Sequence, residues 1–207
     1  MQQLLLDLLP PPAPTFDNFV VGQNGEVFAA LCDWLDQPNG PTCFLLWGEH
    51  HSGRQHLLSA AQVASPEIFC KSKAESLDEA GQIALFNTFN TQKLAGGKLL
   101  VSSLQPPAAL NLREDLRTRL GSGLVYRLQS LSDEEKRAAL IERASARGLK
   151  LSDEILAYIF RHVRRDMGTL VSLIDALDRF TLLHKRALTL PLLRKLLQDT
   201  LQTPLEL

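Results

Sequence analysis

The sequence has 207 residues, enough to bury a sizeable core as one compact unit or as two small subdomains. Hydrophobic residues make up 45% of it and charged residues 22%, which is the balance of an ordinary globular protein. The net charge of −1 argues against a chain whose main task is to grip a nucleic-acid backbone, because that task needs an excess of basic residues.

The three cysteines are Cys32, Cys43 and Cys70, an odd number without the spacing of paired metal ligands. Together with the lack of a signal-peptide pattern, they indicate free thiols and a cytoplasmic location. The apolar start MQQLLLDLLPPPAP has no basic region and is too short to span a bilayer, so we expect no membrane association. No histidine, cysteine or carboxylate spacing predicts a metal site.

Residues 1–14 are predicted to be a flexible tail, since four prolines follow the leucines. Spacing of apolar residues predicts a helix over 26–35, and the continuous apolar run 43–47 predicts a buried parallel strand. That run enters the loop GEHHSGRQ (48–55), and a helix follows. A strand, a glycine-bracketed loop and a helix in succession are the layout of a phosphate-binding loop.

The next segments alternate between strands and helices. They are a weak strand at 68–70, a helix from 77 or 78 to 94, a strand at 98–102, a charged helix at 111–120 and a strand at 124–128. This alternation predicts an α/β layer around a parallel sheet. From residue 132 only helices are expected, the first two beginning at Ser132, in a capping box with Glu135, and at Ser152.

The predicted organisation is a tail (1–14), an α/β subdomain (15–130) and a small all-α lid (131–207). Several strings in it resemble the Hda and DnaA branch of the AAA+ family, from about residue 15 to 200. They are TFDNFVVGQN (15–24), LLWGEHHSGRQHLLSAA (45–61), LDEAGQIALFN (77–87), the segment 99–136 and the helical tail. The resemblance implies an AAA+-like phosphate-loop fold, and it ends before the DNA-binding domain that follows in DnaA. We therefore expect no sequence-specific DNA binding.

The nucleotide-binding positions that the resemblance implies are Val20, Val21, Gly48, Gly53, Arg54 and Gln55. A working loop needs a lysine for the phosphate charge and a serine or threonine for Mg²⁺, and here these positions hold Arg54 and Gln55. We expect ADP as the nucleotide if any binds, through the backbone and the helix N-terminus, and neither Mg²⁺ binding nor ATP hydrolysis. The histidines at 50, 51 and 56 are expected to be surface or phosphate-facing.

The acidic residues of an ATP site should follow the strand before LDEAGQ, but the aligned positions hold Ser72 and Lys73. Glu75 lies nearby and is expected to be solvated. About a dozen residues separate this region from the loop helix, so we expect a reduced sheet that lacks an edge strand. The positions aligned with the two sensor residues hold Leu104 and Gly168. Arg164 and Arg165 lie one turn before Gly168, and they are interpreted as solvated helix charges, with a substitute sensor arginine as the alternative.

In the family, the segment DLRTRL (115–120) carries an arginine finger, a cation supplied to the triphosphate of a neighbouring molecule. The resemblance assigns that role to Arg119, and a charged amphipathic helix would also explain Arg113, Arg117 and Arg119. A rigid guanidinium neutralises transition-state charge in trans without needing a working site of its own.

The tail resembles a sliding-clamp-binding peptide, a glutamine followed by hydrophobic residues, here Gln3, Leu4, Leu6 and Leu8. A frayed tail, or a strand packed on its own domain, is the alternative.

The resemblance thus implies a regulator of DNA replication initiation. Its partners would be DnaA and the sliding clamp, which is the beta subunit of DNA polymerase III. Association with further copies of the same chain is left open. Two alternatives are an active ATPase or nucleotide switch using Arg54 and Glu75, and a loader-type scaffold without any finger.

Overall fold

The computed structural model describes residues 12–202. Contacts divide the chain into two compact units, one formed by Pro14–Leu131 and the other containing the helices from Ser132 onward.

The first unit is built on a sheet of four parallel strands in the order β2-β3-β1-β4. The strands are β1 (Cys43–Trp47), β2 (Phe69–Lys71), β3 (Leu99–Ser103) and β4 (Leu124–Arg127). Since β1 is flanked by strands on both sides and covered by helices on both faces, its residues are apolar without alternation. The expected bounds of β1 are confirmed, and β2 to β4 lie within one residue of their predicted positions.

Helices cover both faces of this sheet. On one face α1 (Gly25–Asp36) and α2 (Arg54–Ala64) pack against Phe44, Leu46 and Leu100, together with Leu128. On the other, α3 (Glu79–Ala95) and α4 (Glu114–Gly121) pack against Leu45, Leu99 and Val101. Helix α4 begins three residues later than its predicted start, because Asn111–Arg113 approach it in a non-helical conformation. The predicted α/β class with a parallel sheet is confirmed.

The reduced sheet is also observed. In the described part of the chain β2 pairs only with β3, so β2 is an edge strand with no further strand beside it. The three-residue length of β2 keeps that open edge short, which limits pairing with other chains.

The second unit contains α5 (Asp133–Ser145), α6 (Asp153–His162), α7 (Met167–His184) and α8 (Leu190–Gln202). The capping box of Ser132 and Glu135 and the N-cap of Ser152 are confirmed. The centre of the unit is an apolar cluster that includes Leu140, Ile159, Leu173 and Leu193. Within residues 12–202, no helix is both long and apolar enough to cross a membrane.

Gly48 marks the point where β1 ends between its two neighbours. Its N–H donates to the Ser103 carbonyl at 3.2 Å, and the Leu128 N–H donates to the Trp47 carbonyl at 2.7 Å. A Cβ at Gly48 would overlap the Leu128 carbonyl oxygen. The sheet itself therefore requires glycine here, whether or not the following loop holds a ligand.

We expect Gly48→Ala to destabilise the protein by about 1–3 kcal/mol, the usual cost of forcing extra atoms into a packed site. Urea unfolding measures the change, and Gly25→Ala is the matched control. Gly25 has open space around its Cβ position and a right-handed helical backbone, so alanine there should stabilise the protein by about 0.4–1 kcal/mol. Equal stability of the Gly48→Ala variant and the native protein would contradict this account of the sheet.

Candidate functional site

The predicted phosphate loop lies at the carboxyl end of β1 and leads directly into the N-terminus of α2 at Arg54. Gly53 has a φ of 98°, in the left-handed region that favours glycine, and a Cβ there would lie 2.8 Å from a ring carbon of Phe19. Ser52 is 5% exposed, and its Oγ has no hydrogen-bond partner among residues 12–202. A left-handed glycine, a helix N-terminus and an unsatisfied buried hydroxyl together suit an anionic group such as a diphosphate.

The segment that carries Val20 and Val21 lies against this loop through Phe19. The Phe19 ring packs against Gly53 and lies 5.3 Å from the His56 ring. Asn24, which is 2% exposed, fixes the segment by donating to the carbonyls of Val21 and Gln129 and accepting from the Gln129 N–H. Asn24 was not singled out by sequence reasoning, and its partner lies 105 residues away along the chain.

His56 corrects one expectation. Instead of lying at the surface or facing a phosphate, its Nε2 is 2.8 Å from the Thr15 carbonyl oxygen, and the side chain is half-buried. His50 and His51 are exposed in the loop.

Arg54 folds back over the loop. Its Nη2 donates to the Glu49 carbonyl at 3.4 Å. Burial lowers the pKa of the Arg54 guanidinium, and the Glu75 carboxylate acts in the opposite direction. The arginine therefore stays close to the loop backbone, where a phosphate would meet it. Gln55 is exposed on the first turn of α2 and offers an amide where a hydroxyl would bind Mg²⁺.

Glu75 was expected to be solvated, and the structure corrects this. Its Oε2 accepts a hydrogen bond of 3.1 Å from the Leu104 N–H, just after β3, and the residue is half-buried. Ser72 and Lys73 follow β2 at the same edge of the sheet. Glu75 thus connects the segment after β2 to the end of β3. Among the described residues, no group of three or more potential metal ligands is found.

The three arginines of the α4 region have different surroundings. Arg113 donates to both carboxylate oxygens of Asp115, at 3.2 and 2.9 Å, and these hydrogen bonds lower the pKa of Asp115. Arg117 lies 3.2 Å from a carboxylate oxygen of Glu114.

Arg119 has no carboxylate partner within residues 12–202. Its guanidinium carbon lies 5.9 Å from the centre of the Phe86 ring and 5.7 Å from that of the Phe89 ring, both on α3. The side chain is half-buried, so part of it reaches solvent. Phe86 and Phe89 were missed at the sequence level, although their spacing of three residues on a predicted helix places both on one face.

In the second unit, Gly168, the residue aligned with the second sensor position, lies in the first turn of α7. The two arginines before it have local partners. Arg165 donates to Asp133 at 2.6 Å and to the Phe160 carbonyl at 3.0 Å, and Arg164 lies 3.3 Å from Asp166. The predicted clamp-binding residues Gln3, Leu4, Leu6 and Leu8 lie outside the described residues.

The fold is similar to solved structures of replication and recombination proteins. Domain III of the replication initiation protein DnaA from Thermotoga maritima matches with a TM-score of 0.71 and 20% identity, over 94% of this chain and 100% of that one. AMPPCP-bound DnaA from Aquifex aeolicus matches at 0.65 and 18%, over 86% and 67%. The Holliday junction branch migration motor RuvB of Thermotoga maritima matches at 0.60 and 15%, over 90% and 74%.

The sheet order, the position of the loop and these similarities define an AAA+-like fold, similar to that of DnaA domain III. Residues 133–197 match the family model of the Hda lid domain. This match and the DnaA-like fold together confirm the resemblance found in the sequence.

Proposed function

We propose that this chain is a regulator of DNA replication initiation that promotes hydrolysis of the ATP bound to DnaA. In this proposal Arg119 is supplied in trans to the triphosphate of DnaA. The Hda lid domain and the DnaA-like fold support a DnaA-related regulator. The observation that carries the proposed role of Arg119 is that it alone, of the three arginines of α4 and its N-cap, has no carboxylate partner in the described residues.

An unpaired guanidinium is suited to a phosphate for an electrostatic reason. Arg113 and Arg117 are partly neutralised by Asp115 and Glu114, and each would have to break an ion pair before meeting another anion. Arg119 has no ion pair to break in the described residues, because the Phe86 and Phe89 rings attract the cation without carrying a negative charge.

Arg119→Ala should lower the rate of DnaA-bound ATP hydrolysis by about 10³-fold or more, the usual contribution of an arginine finger. Hydrolysis is measured with ATP-loaded DnaA and clamp-loaded DNA, with and without the variant. Arg117→Ala is the matched control on the same helix. Its rate should stay within about threefold of the native rate, which corresponds to a change of less than 1 kcal/mol in activation free energy. An unaffected rate for Arg119→Ala would favour the scaffold alternative.

We further propose that the loop binds ADP without Mg²⁺. The support is the glycine-framed loop, the buried Ser52 hydroxyl and the presence of Gln55 where the Mg²⁺ ligand belongs. Arg54 would contact the terminal phosphate, and its charge would take over part of the role of the metal ion.

Calorimetric titration should give an ADP affinity that changes by less than about tenfold, or 1.4 kcal/mol, when Mg²⁺ is removed. Gln55→Thr restores a hydroxyl at this position and should make the affinity depend on Mg²⁺. Mg²⁺-dependent binding by the native protein, or ATP turnover by the isolated protein, would instead support the ATPase alternative with Glu75.

The tail is proposed to hold the protein on the sliding clamp through Gln3, Leu4, Leu6 and Leu8. Burying one leucine contributes about 1.5–3 kcal/mol, and the prolines that follow in the sequence are typical of an extended linker. Clamp binding would concentrate the protein on DNA where DnaA is to be inactivated.

The double variant Gln3→Ala/Leu6→Ala should weaken binding to the beta clamp by about 100-fold, which corresponds to about 2.7 kcal/mol. Surface plasmon resonance measures the affinity, and we expect the melting temperature to stay unchanged, because the sequence predicts a tail here and not a part of the core. Gln2→Ala, one residue outside the motif, should bind as the native protein does. Native affinity of the double variant would rule out the tether.

A further inference from the structure

We infer that Phe86 and Phe89 are positioning residues for Arg119, and this inference rests on the proposed arginine finger. The two rings form the surface on which the guanidinium lies, with their centres 5.9 and 5.7 Å from its central carbon. They act through the arginine and need not touch the nucleotide.

The two rings are held in place by the core of the first unit. Phe89 is 3% exposed and belongs to the cluster formed with Leu116 and Leu120 of α4. Phe86 is half-buried and packs against the same cluster. Because α3 and α4 are packed together through these residues, the position of the rings relative to Arg119 is fixed by the fold.

The same contact restricts a side chain that would otherwise be mobile. An arginine has many rotamers, and no carboxylate holds Arg119 in the described part of the chain. A cation is attracted to the face of an aromatic ring within about 6 Å of its centre, and both distances fall within that limit. The rings therefore restrict the guanidinium without neutralising it.

Such restriction matters for a group that has to meet a transition state. A misplacement of about 1 Å can lower the rate about 10²-fold. An arginine without such support would occupy the productive position for a smaller fraction of the time. An acidic residue would also hold the arginine, but it would compete with the phosphate. An aromatic pair avoids that competition.

The test uses the full chain with ATP-loaded DnaA and clamp-loaded DNA. In Phe86→Leu/Phe89→Leu the apolar character is kept and the ring faces are lost. We expect the maximal hydrolysis rate to fall by about 10–100-fold, while the half-saturating protein concentration changes by less than about twofold. Phe86→Tyr keeps the ring face and should keep the native rate. Leu94→Ala, at a residue of α3 that is 91% exposed, is the control for changes on this helix.

A second readout is independent of DnaA. In the isolated protein the Nε–Hε resonance of Arg119 should be shifted by the ring currents, and it is assigned as the signal lost in Arg119→Lys. The shift should disappear in Phe86→Leu/Phe89→Leu and should be reduced in Phe86→Leu alone, where the Phe89 ring remains. The single variant guards against a folding defect in the double variant.

Two outcomes separate this inference from the function on which it rests. If Arg119→Ala is inactive but the double leucine variant has the native maximal rate, or if the native protein lacks the ring-current shift, the positioning role is overturned and the finger is retained. If Arg119→Ala is fully active, the proposed function fails and the positioning role fails with it.

Discussion

The close backbone approach at Gly48 is the constraint on which the carboxyl edge of the sheet depends. At this point β1 passes between β3 and β4, with Gly48 bonded to Ser103 and the Leu128 carbonyl occupying the space of a side chain. The loop and the N-terminus of α2 follow this point directly in the chain, and the ring of Phe19 packs against Gly53 of that loop. Strand packing thus fixes the point at which the framework of the site begins.

The two faces of the sheet divide the candidate functions between them. The loop continues into α2, which packs with α1 on one face, whereas Phe89 and α4 belong to the cluster on the other face. Alternate residues of β1 serve the two layers, Phe44 and Leu46 on the first and Cys43 and Leu45 on the second. Arg54 and Gln55 of the loop therefore lie outside the cluster that packs beneath Arg119. An AAA+ fold can in this way vary its own nucleotide site while keeping the surface that carries the arginine.

How much the sequence predicts depends on the range of the interactions involved. The strand at 43–47 and the caps at Ser132 and Ser152 were predicted correctly because an apolar run and a capping box depend on adjacent residues. Glu75 and His56 were interpreted incorrectly because their partners, the Leu104 N–H and the Thr15 carbonyl, lie 29 and 41 residues away. Asn24 and the Phe86–Phe89 pair were missed for the same reason. Side chains whose partners come from another element cannot be read from a local pattern, and at this site they make up the most specific contacts.

The surroundings of the arginines also explain why position in the chain alone does not distinguish them. Three arginines lie within seven positions, and the amphipathic pattern of α4 gives each a place on a charged surface. The nearby carboxylates Glu114 and Asp115 stand in the first turn, where they suit the helix N-terminus, and from there they reach Arg117 and Arg113. Arg119 stands in the last turn, four residues after Asp115, a spacing at which an ion pair on a helix is possible. Both oxygens of Asp115, however, accept hydrogen bonds from Arg113, and Arg119 lies over the aromatic rings of α3 instead. The two acids of α4 are therefore engaged by Arg113 and Arg117, and this leaves Arg119 as the arginine of this helix without a carboxylate partner in the described residues.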